Sequence, residues 1–227
     1  NNEESHQTVL YDSGGIDTLN FTNHIADEII DLREGQFTTV NGIPLSVRIQ
    51  YGTVIENARG GAGNDSIRGN ETPNLLFGNA GNDILRGGGD NDISRGGAGD
   101  DTYIWSLGDG RDIIREEANG GIDSVEFYDP SGSIDSLEDD FVFRRFGDNL
   151  RIDLTLDQGE GQGTFSIVDF ANTESQVELM RFHGLLGAQI GDDIDLTSIF
   201  DSATANAQRF TVTDQLGQNG GFIAVPV

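Results

Sequence analysis

The sequence predicts an all-β protein whose centre is a stack of short parallel strands, with strand-rich regions capping the stack on either side. Three observations predict this. Residues 60–104 read GGAGNDSIR GNETPNLLF GNAGNDILR GGGDNDISR GGAGDDTYI, a nine-residue period with glycine-rich beginnings, Asp or Asn at the sixth place and mostly apolar residues near the end. Alternating or β-branched runs lie on both sides of it, among them LSVRIQY at 45–51 and DNLRIDLTL at 148–156. Stretches such as SGG, NGIP and GDN separate those runs, and they punctuate strands.

Taken in order, residues 1–58 form a strand-rich N-terminal flank, with strands expected in TVLY at 8–11, DTLNF at 17–21 and LSVRIQY, and a short helix near residues 25–33. Residues 59–127 carry the repeat, strict to 104 and looser beyond, where Asp112 is followed by an apolar pair and Asp123 by an alternation. Residues 128–200 read as an antiparallel β cap, with runs such as DDFVFRRF, TFSIVDF and VELMRF joined by turns. Residues 201–227 are small, polar and glycine-rich before an apolar end, and read as a tail.

The period has a mechanical reading. A strand residue rises about 3.3 Å, so the three residues ending each unit, such as Ser66-Ile67-Arg68, make a strand of about 10 Å. The other six must reverse the chain, which Gly60-Gly61-Ala62-Gly63 can do because glycine reaches positive φ at little cost. Two units then make one coil with a strand on each side, and stacked coils make two parallel sheets. Unit n lies above unit n+2, which places Asp65, Asp83 and Asp101 in one column and Asn74 and Asp92 in the opposite one.

Composition narrows the function. The chain of 227 residues has 39 acids against 13 bases, all arginine, for a formal charge of −26. Nucleic acid is an improbable partner for such a surface, and cations are its natural counter-charge. Without cysteine there is neither a disulfide frame nor a thiolate site. No apolar run approaches the roughly eighteen residues of a membrane span. The start, NNEESHQTVL, has no secretory-signal pattern, and the chain reads as a fragment of a longer protein. Stacked carboxylates repel, so the columns are stable only with something positive between them. Calcium fits, as a hard cation taking six to eight oxygens from carboxylates and from the carbonyls of a glycine-rich turn. Zinc and copper ask for His or Cys, and magnesium tolerates such a crowded cage less well.

The pattern G-G-x-G-x-D-x-U-x in these units resembles the RTX nonapeptide of haemolysin-type secreted proteins, a repeat for which a calcium-binding β-helix is the recognised architecture. The resemblance implies a parallel β-roll in which turn carbonyls join the sixth-place carboxylates. Carried over, one ion uses Gly60, Ala62, Asp65, Asn79, Gly81 and Asp83, and a second uses Gly78, Ala80, Asp83, Gly97, Gly99 and Asp101. On the other side Gly87, Gly89 and Asp92 face Gly108, Gly110 and Asp112, with Asp109 and Asp123 as further candidates. Two units depart from the pattern. GNETPNLLF has Asn74 at the sixth place and Pro73 in its turn, so its ion is expected to be weak or absent. GGGDNDISR puts Ser94 at the inward eighth place, which costs apolar burial. Arg68, Arg86 and Arg95 at ninth places are expected to point outward as solvated charge partners.

The segment from YDSGGIDTLNF to YGTVIENARGGAGND resembles the region joining the protease domain to the roll in serralysin-type metalloproteases, which implies a further calcium near Asp12, Gly14 and Asp17. An ordinary Asx or glycine turn is the plainer reading of those residues. Residues 105–183 resemble, more loosely, the domain that follows calcium repeats in secreted haemolysin-type proteins. A serralysin catalytic centre needs H-E-x-x-H-x-x-G-x-x-H. This chain has only His6, His24 and His183, and no G-x-S-x-G elbow, so no catalytic residue is assigned. The acid pairs Asp139-Asp140 and Asp192-Asp193 read as solvated, and the glycine strings put aspartate where a phosphate would be repelled. Asp129-Pro130 matches the bond cut in some self-processing RTX modules, a single dipeptide. The expected function is a secreted, extracellular, calcium-induced folding module that assists passage through type I secretion machinery and stabilises an upstream catalytic domain. The alternatives are the C-terminal portion of a serralysin-like zinc protease, or an adhesin or polysaccharide-binding roll.

Overall fold

The structure, a computed structural model, describes residues 8–116, 120–128, 140–146, 148–155, 163–168, 177–183, 194–196, 208–211 and 223–226. The elements formed there are all strands. His6, Asp129-Pro130, Asp139, Asp192-Asp193 and most of the tail lie outside the described residues.

Two sheets dominate. The first runs β2 (Thr18–Asn20), β6 (Asn57–Arg59), β8 (Leu75–Ala80), β10 (Ile93–Ala98), β12 (Arg111–Arg115) and β16 (Gly163–Val168), all paired in parallel. It continues antiparallel through β15 (Asn149–Thr155), β14 (Asp140–Phe146), β19 (Gln208–Thr211) and β20 (Ile223–Pro226). The second runs β3 (Ile29–Asp31), β7 (Ser66–Arg68), β9 (Ile84–Arg86), β11 (Thr102–Ser106), β13 (Asp123–Tyr128) and β17 (Val177–His183) in parallel, then β18 (Ile194–Asp195) antiparallel. A small third sheet joins β1 (Thr8–Leu10), β5 (Ile43–Ile49) and β4 (Phe37–Val40).

From β6 to β13 the chain alternates between the two large sheets strand by strand, so the expected β-roll is the observed architecture. Ser66 lies opposite Ile84 and Ile84 opposite Thr102, the step of two nonapeptides. Looser units lengthen the step without breaking the ladder, since Ile93 meets Ile113 and Thr102 meets Ser124. The helix expected near residues 25–33 is instead strand β3. Ile29 is exposed and Ile30 fully buried opposite Ile67, the period-two burial of a strand rather than a helical stripe. Pairing over 128–200 is mixed. β15 pairs antiparallel with both β14 and β16, whereas β16 and β17 join the roll in parallel with β12 and β13.

The eighth places build the core. Ile30, Ile67, Leu85, Tyr103, Val125 and Met180 stack up the second sheet, facing Ala58, Leu76, Ser94, Ile114 and Ile167 on the first, and all are buried. Each large apolar side chain there contributes roughly 1.5–3 kcal/mol. Ser94 sits inward as expected, beside a small cavity of about 20 Å³ lined by Leu85, Tyr103, Ile114 and Phe165. Trp105 closes that region against Phe127 and Phe165, with ring centroids 4.9 and 5.4 Å away. At the opposite end, the amides of Ile29 and Asp31 donate to the hydroxyls of Thr39 and Thr38, which covers the free edge of the second sheet.

Candidate metal centre

Parallel stacking brings equivalent turns face to face, and the sixth-place carboxylates become a continuous ladder. Asp65 N–H donates to Asp83 Oδ1 at 2.7 Å, Asp83 N–H to Asp101 Oδ1 at 2.8 Å and Asp101 N–H to Asp123 Oδ1 at 2.8 Å. On the other edge Asn74 N–H donates to Asp92 Oδ1 at 2.8 Å and Asp92 N–H to Asp112 Oδ1 at 2.9 Å. One oxygen of each carboxylate therefore staples its turn to the coil before it. The second oxygens of Asp83, Asp92 and Asp101 are buried with no hydrogen-bond partner among the described residues. Asp65 differs, since its Oδ2 accepts from Gly61 N–H at 2.6 Å and its Oδ1 from Glu28 N–H at 2.7 Å.

The glycines bring the backbone into the same space. A Cβ on Gly60, Gly78, Gly87 or Gly96 would lie 2.0–2.2 Å from the sixth-place Oδ2 of its own turn, so only glycine fits there. Gly81 and Gly99 adopt φ of +113° and +129°, and a Cβ on either would meet the carbonyl oxygen one coil back, Gly63 O or Gly81 O, at 2.2 Å. Gly97 abuts Asn79 O and Gly110 abuts Asp90 O in the same way. Asn79 has positive φ and donates its amide to Gly60 O at 2.7 Å, while Ala62 N–H donates to His24 O, Ala80 N–H to Gly61 O and Gly89 N–H to Asn70 O.

Two expected positions stand apart. Gly108 lies in open space. Asp109 accepts from Ser106 N–H at 2.7 Å and faces the guanidinium of the ninth-place Arg86 at 3.7 Å. Near the N-terminus Asp12 accepts from Gly14 N–H at 2.7 Å, an Asx turn, and Asp17 N–H donates to Glu56 Oε2 at 2.8 Å. Burial first, then the charges of Asp12 and Glu56, raises the Asp17 carboxyl.

Asn74 replaces a carboxylate with an amide network. Its Oδ1 accepts from Asn70 N–H at 2.7 Å and its Nδ2 donates to Glu56 O at 2.9 Å, while Asn70 Nδ2 donates to Ile55 O at 2.8 Å.

Sequence reasoning missed three acids that extend the ladders and a fourth that lies beside one of them. Glu28, buried, heads the second-sheet column with its carboxylate held by His24, Thr39 and the Asn41 N–H, and Glu178 ends that column by accepting from Asp123 N–H. Glu56 occupies the equivalent place above Asn74. Glu116 comes together with Asp101 and Asp123, each offering an oxygen within 4.8 Å of the others. Strand pairing reveals the first three, because long excursions of the chain separate them from the strict period.

Desolvation dominates the electrostatics. Burial pushes Asp83, Asp92 and Asp123 up to about 7, Asp101 to about 6 and Asp112 to about 8, with neighbouring carboxylates adding to the rise at Asp83, Asp92, Asp112 and Asp123. Partnerless carboxylate oxygens beside backbone carbonyls, without sulfur, form a hard, oxygen-rich donor set, which fits calcium.

A family model described as Peptidase M10 serralysin C terminal matches residues 1–221. The chain belongs to the serralysin C-terminal family. Relatives sharing a segment include a serralysin from Proteus mirabilis, 48 % identical over 65 residues, or 29 % of this chain and 13 % of that protein. The metallopeptidase AprA of Pseudomonas marginalis is 46 % identical over 66 residues, 29 % of this chain and 14 % of that protein. Serralysin G of Dickeya chrysanthemi is 45 % identical over 65 residues, again 29 % and 14 %. The matched segments span about one seventh of these relatives. Serralysin C-terminal regions carry RTX calcium-binding repeats and are non-catalytic parts of secreted metalloproteases, in keeping with the β-roll and its acid ladders. No helix among the described residues is long and apolar enough to cross a membrane.

Proposed function

We propose that this chain is a calcium-dependent folding module. The observation that carries the reading is the set of Oδ2 atoms of Asp83, Asp92 and Asp101, buried with no hydrogen-bond partner among the described residues. Calcium, when bound, supplies the positive charge and oxygen-rich coordination that these atoms lack. Asp65, Asp83 and Asp101, with the carbonyls of Gly60, Ala62, Gly78, Asn79, Ala80, Gly81, Gly97 and Gly99, are the proposed holders on one edge. Gly87, Gly89, Asp92, Gly110 and Asp112 are the proposed holders on the other, with Asp123 at the far end. Asp12, Gly14 and Asp17 form a further candidate near the start. Gly108 and Asp109 are the least supported members of the set, for the geometric reasons given above.

Without a cation the ladders bury uncompensated charge and the glycine turns lose much entropy on ordering, so the chain stays unfolded at low calcium. Millimolar calcium outside the cell favours the folded state alone. Such a chain would pass a type I secretion channel unfolded and fold outside, stabilising the rest of its polypeptide. The names of the relatives support a metalloprotease domain elsewhere in that polypeptide, this segment itself being non-catalytic.

Trp105, the chain's one tryptophan, is buried and reports folding directly. Calcium added to chelated protein should blue-shift its emission and bring in β-sheet circular dichroism at the same midpoint. A chain equally folded in chelator sinks the reading.

A further inference from the structure

One residue before each sixth-place carboxylate, a second column climbs the outside of the same turns. Asn64 N–H donates to Asp27 Oδ1 at 2.7 Å, Asn82 N–H to Asn64 Oδ1 at 2.8 Å, Asp100 N–H to Asn82 Oδ1 at 3.0 Å and Ile122 N–H to Asp100 Oδ1 at 2.8 Å. Each of these bonds points back toward the preceding coil. The adjacent sixth-place amides point forward, as Asp83 N–H does to Asp101. Two consecutive amides of a turn are therefore gripped from opposite neighbours, which fixes both the height and the tilt of the turn.

The opposite edge contains its own control. Arg111 N–H donates back to Asn91 Oδ1 at 3.0 Å while Asp92 N–H donates forward to Asp112 Oδ1. One step earlier the fifth place is Pro73, which has no side-chain acceptor. There the Asn91 N–H donates to Asp90 Oδ1 at 2.9 Å, within its own turn. The backward staple is lost where the residue that provides it is lost.

We propose that the fifth-place residues Asn64, Asn82, Asn91 and Asp100 are positioning residues for cation capture. Their side chains are exposed and need only one acceptor oxygen, so Asn serves as well as Asp and no charge has to be compensated. In the folded roll they hold successive turns at a fixed spacing, so that the Oδ2 atoms of Asp83, Asp92 and Asp101, buried without a hydrogen-bond partner among the described residues, face the turn carbonyls with room only for a cation to satisfy them. The proposal rests on the calcium reading and extends it to residues whose oxygen is already taken by an amide.

The test compares Asn82→Ala and Asn82→Asp with Ile84→Ala, an exposed control in the same coil. Calcium titrations are followed by Trp105 emission, with amide hydrogen exchange at Asp100. Asn82→Ala should raise the calcium midpoint about fivefold, the factor carried by one lost hydrogen bond, flatten the transition and speed exchange at Asp100. Asn82→Asp should stay within about twofold of the unsubstituted chain by the same reasoning, and Ile84→Ala should match it. An Asn82→Ala chain that fails to fold in saturating calcium, while Asn82→Asp folds, is the extreme of the expected loss. An unchanged midpoint for Asn82→Ala, or an equal shift for Asn82→Asp, overturns the positioning role alone. An unsubstituted chain that ignores calcium overturns the calcium reading, and this proposal with it.

Discussion

At Asp83 the two carboxylate oxygens have different tasks, because Oδ1 accepts the Asp65 amide and Oδ2 is buried without a partner among the described residues. Asp83→Asn should keep the first and lose the charge of the second, raising the calcium midpoint by about tenfold or more, consistent with charge-assisted contacts exceeding neutral ones. Calcium titration of the variant checks this. The raised carboxyls of Asp83, Asp92 and Asp123, about 7 against an ordinary 3.8, also set a pH dependence. A folded carboxyl that holds its proton more tightly than the unfolded chain does contributes stability that is complete below 3.8 and lost as pH rises through about 7. In chelator, acidification from about pH 8 to pH 4 should therefore shift the unfolded chain toward the folded state, read as a gain of β-sheet circular dichroism. With calcium the sign reverses, since protons compete for the same oxygens, and the midpoint should climb as pH falls. Gly81→Ala places a methyl against Gly63 O at a left-handed φ and should destabilise the roll by more than the roughly 1–3 kcal/mol of backbone strain alone, as a melt in calcium would show.

At the scale of strands, the eighth-place ladder does the packing. Leu85→Ala should cost about 2–5 kcal/mol, read from calcium-saturated denaturation, because the parallel stack fixes Ile67 and Tyr103 on either side and limits collapse. Much of this ladder was legible in the sequence. Glycine and aspartate at a fixed interval have no role in a helix or an ordinary core, so the period alone led to coils, two sheets and the columns of Asp65, Asp83 and Asp101. What was not legible lies where the interval fails. Ile29 pairs with Ser66 and Thr18 with Asn57 across long excursions, so Glu28 and Glu56 take ladder places that no local motif marks. The run at 25–33 looked helical because a three-residue strand is too short to display alternation. Asp109, a ligand candidate in the sequence, has the Arg86 guanidinium 3.7 Å away, a neighbour that the repeat does not announce.

Over the whole molecule, a formal charge of −26 works against compaction, and the arginines offset it only locally. Arg59 lies over the Phe77 ring at 3.7 Å, with Arg95 at 5.5 Å from the same ring, so part of the basic charge is spent shielding the outer face of the first sheet. Sodium chloride screens diffuse repulsion but has no way to fill buried oxygen pockets. Salt at the ionic strength of millimolar calcium should therefore leave the chelated chain unfolded by circular dichroism.

The amide-closed turn at Asn70–Asn74 has a consequence for how the chain finds its fold. In a run of near-identical coils, a strand displaced by a whole coil meets almost the same partners, so misalignment costs little and traps accumulate. Pro73, Asn74 and Ser94 break that equivalence: only one placement gives Asn70 its carbonyls at Leu32 and Ile55. Making this unit match its neighbours, with Asn74→Asp and Pro73→Asn together, should add ligating capacity yet yield slower, heterogeneous refolding on calcium addition. The imperfect repeat acts as the origin from which the others are counted.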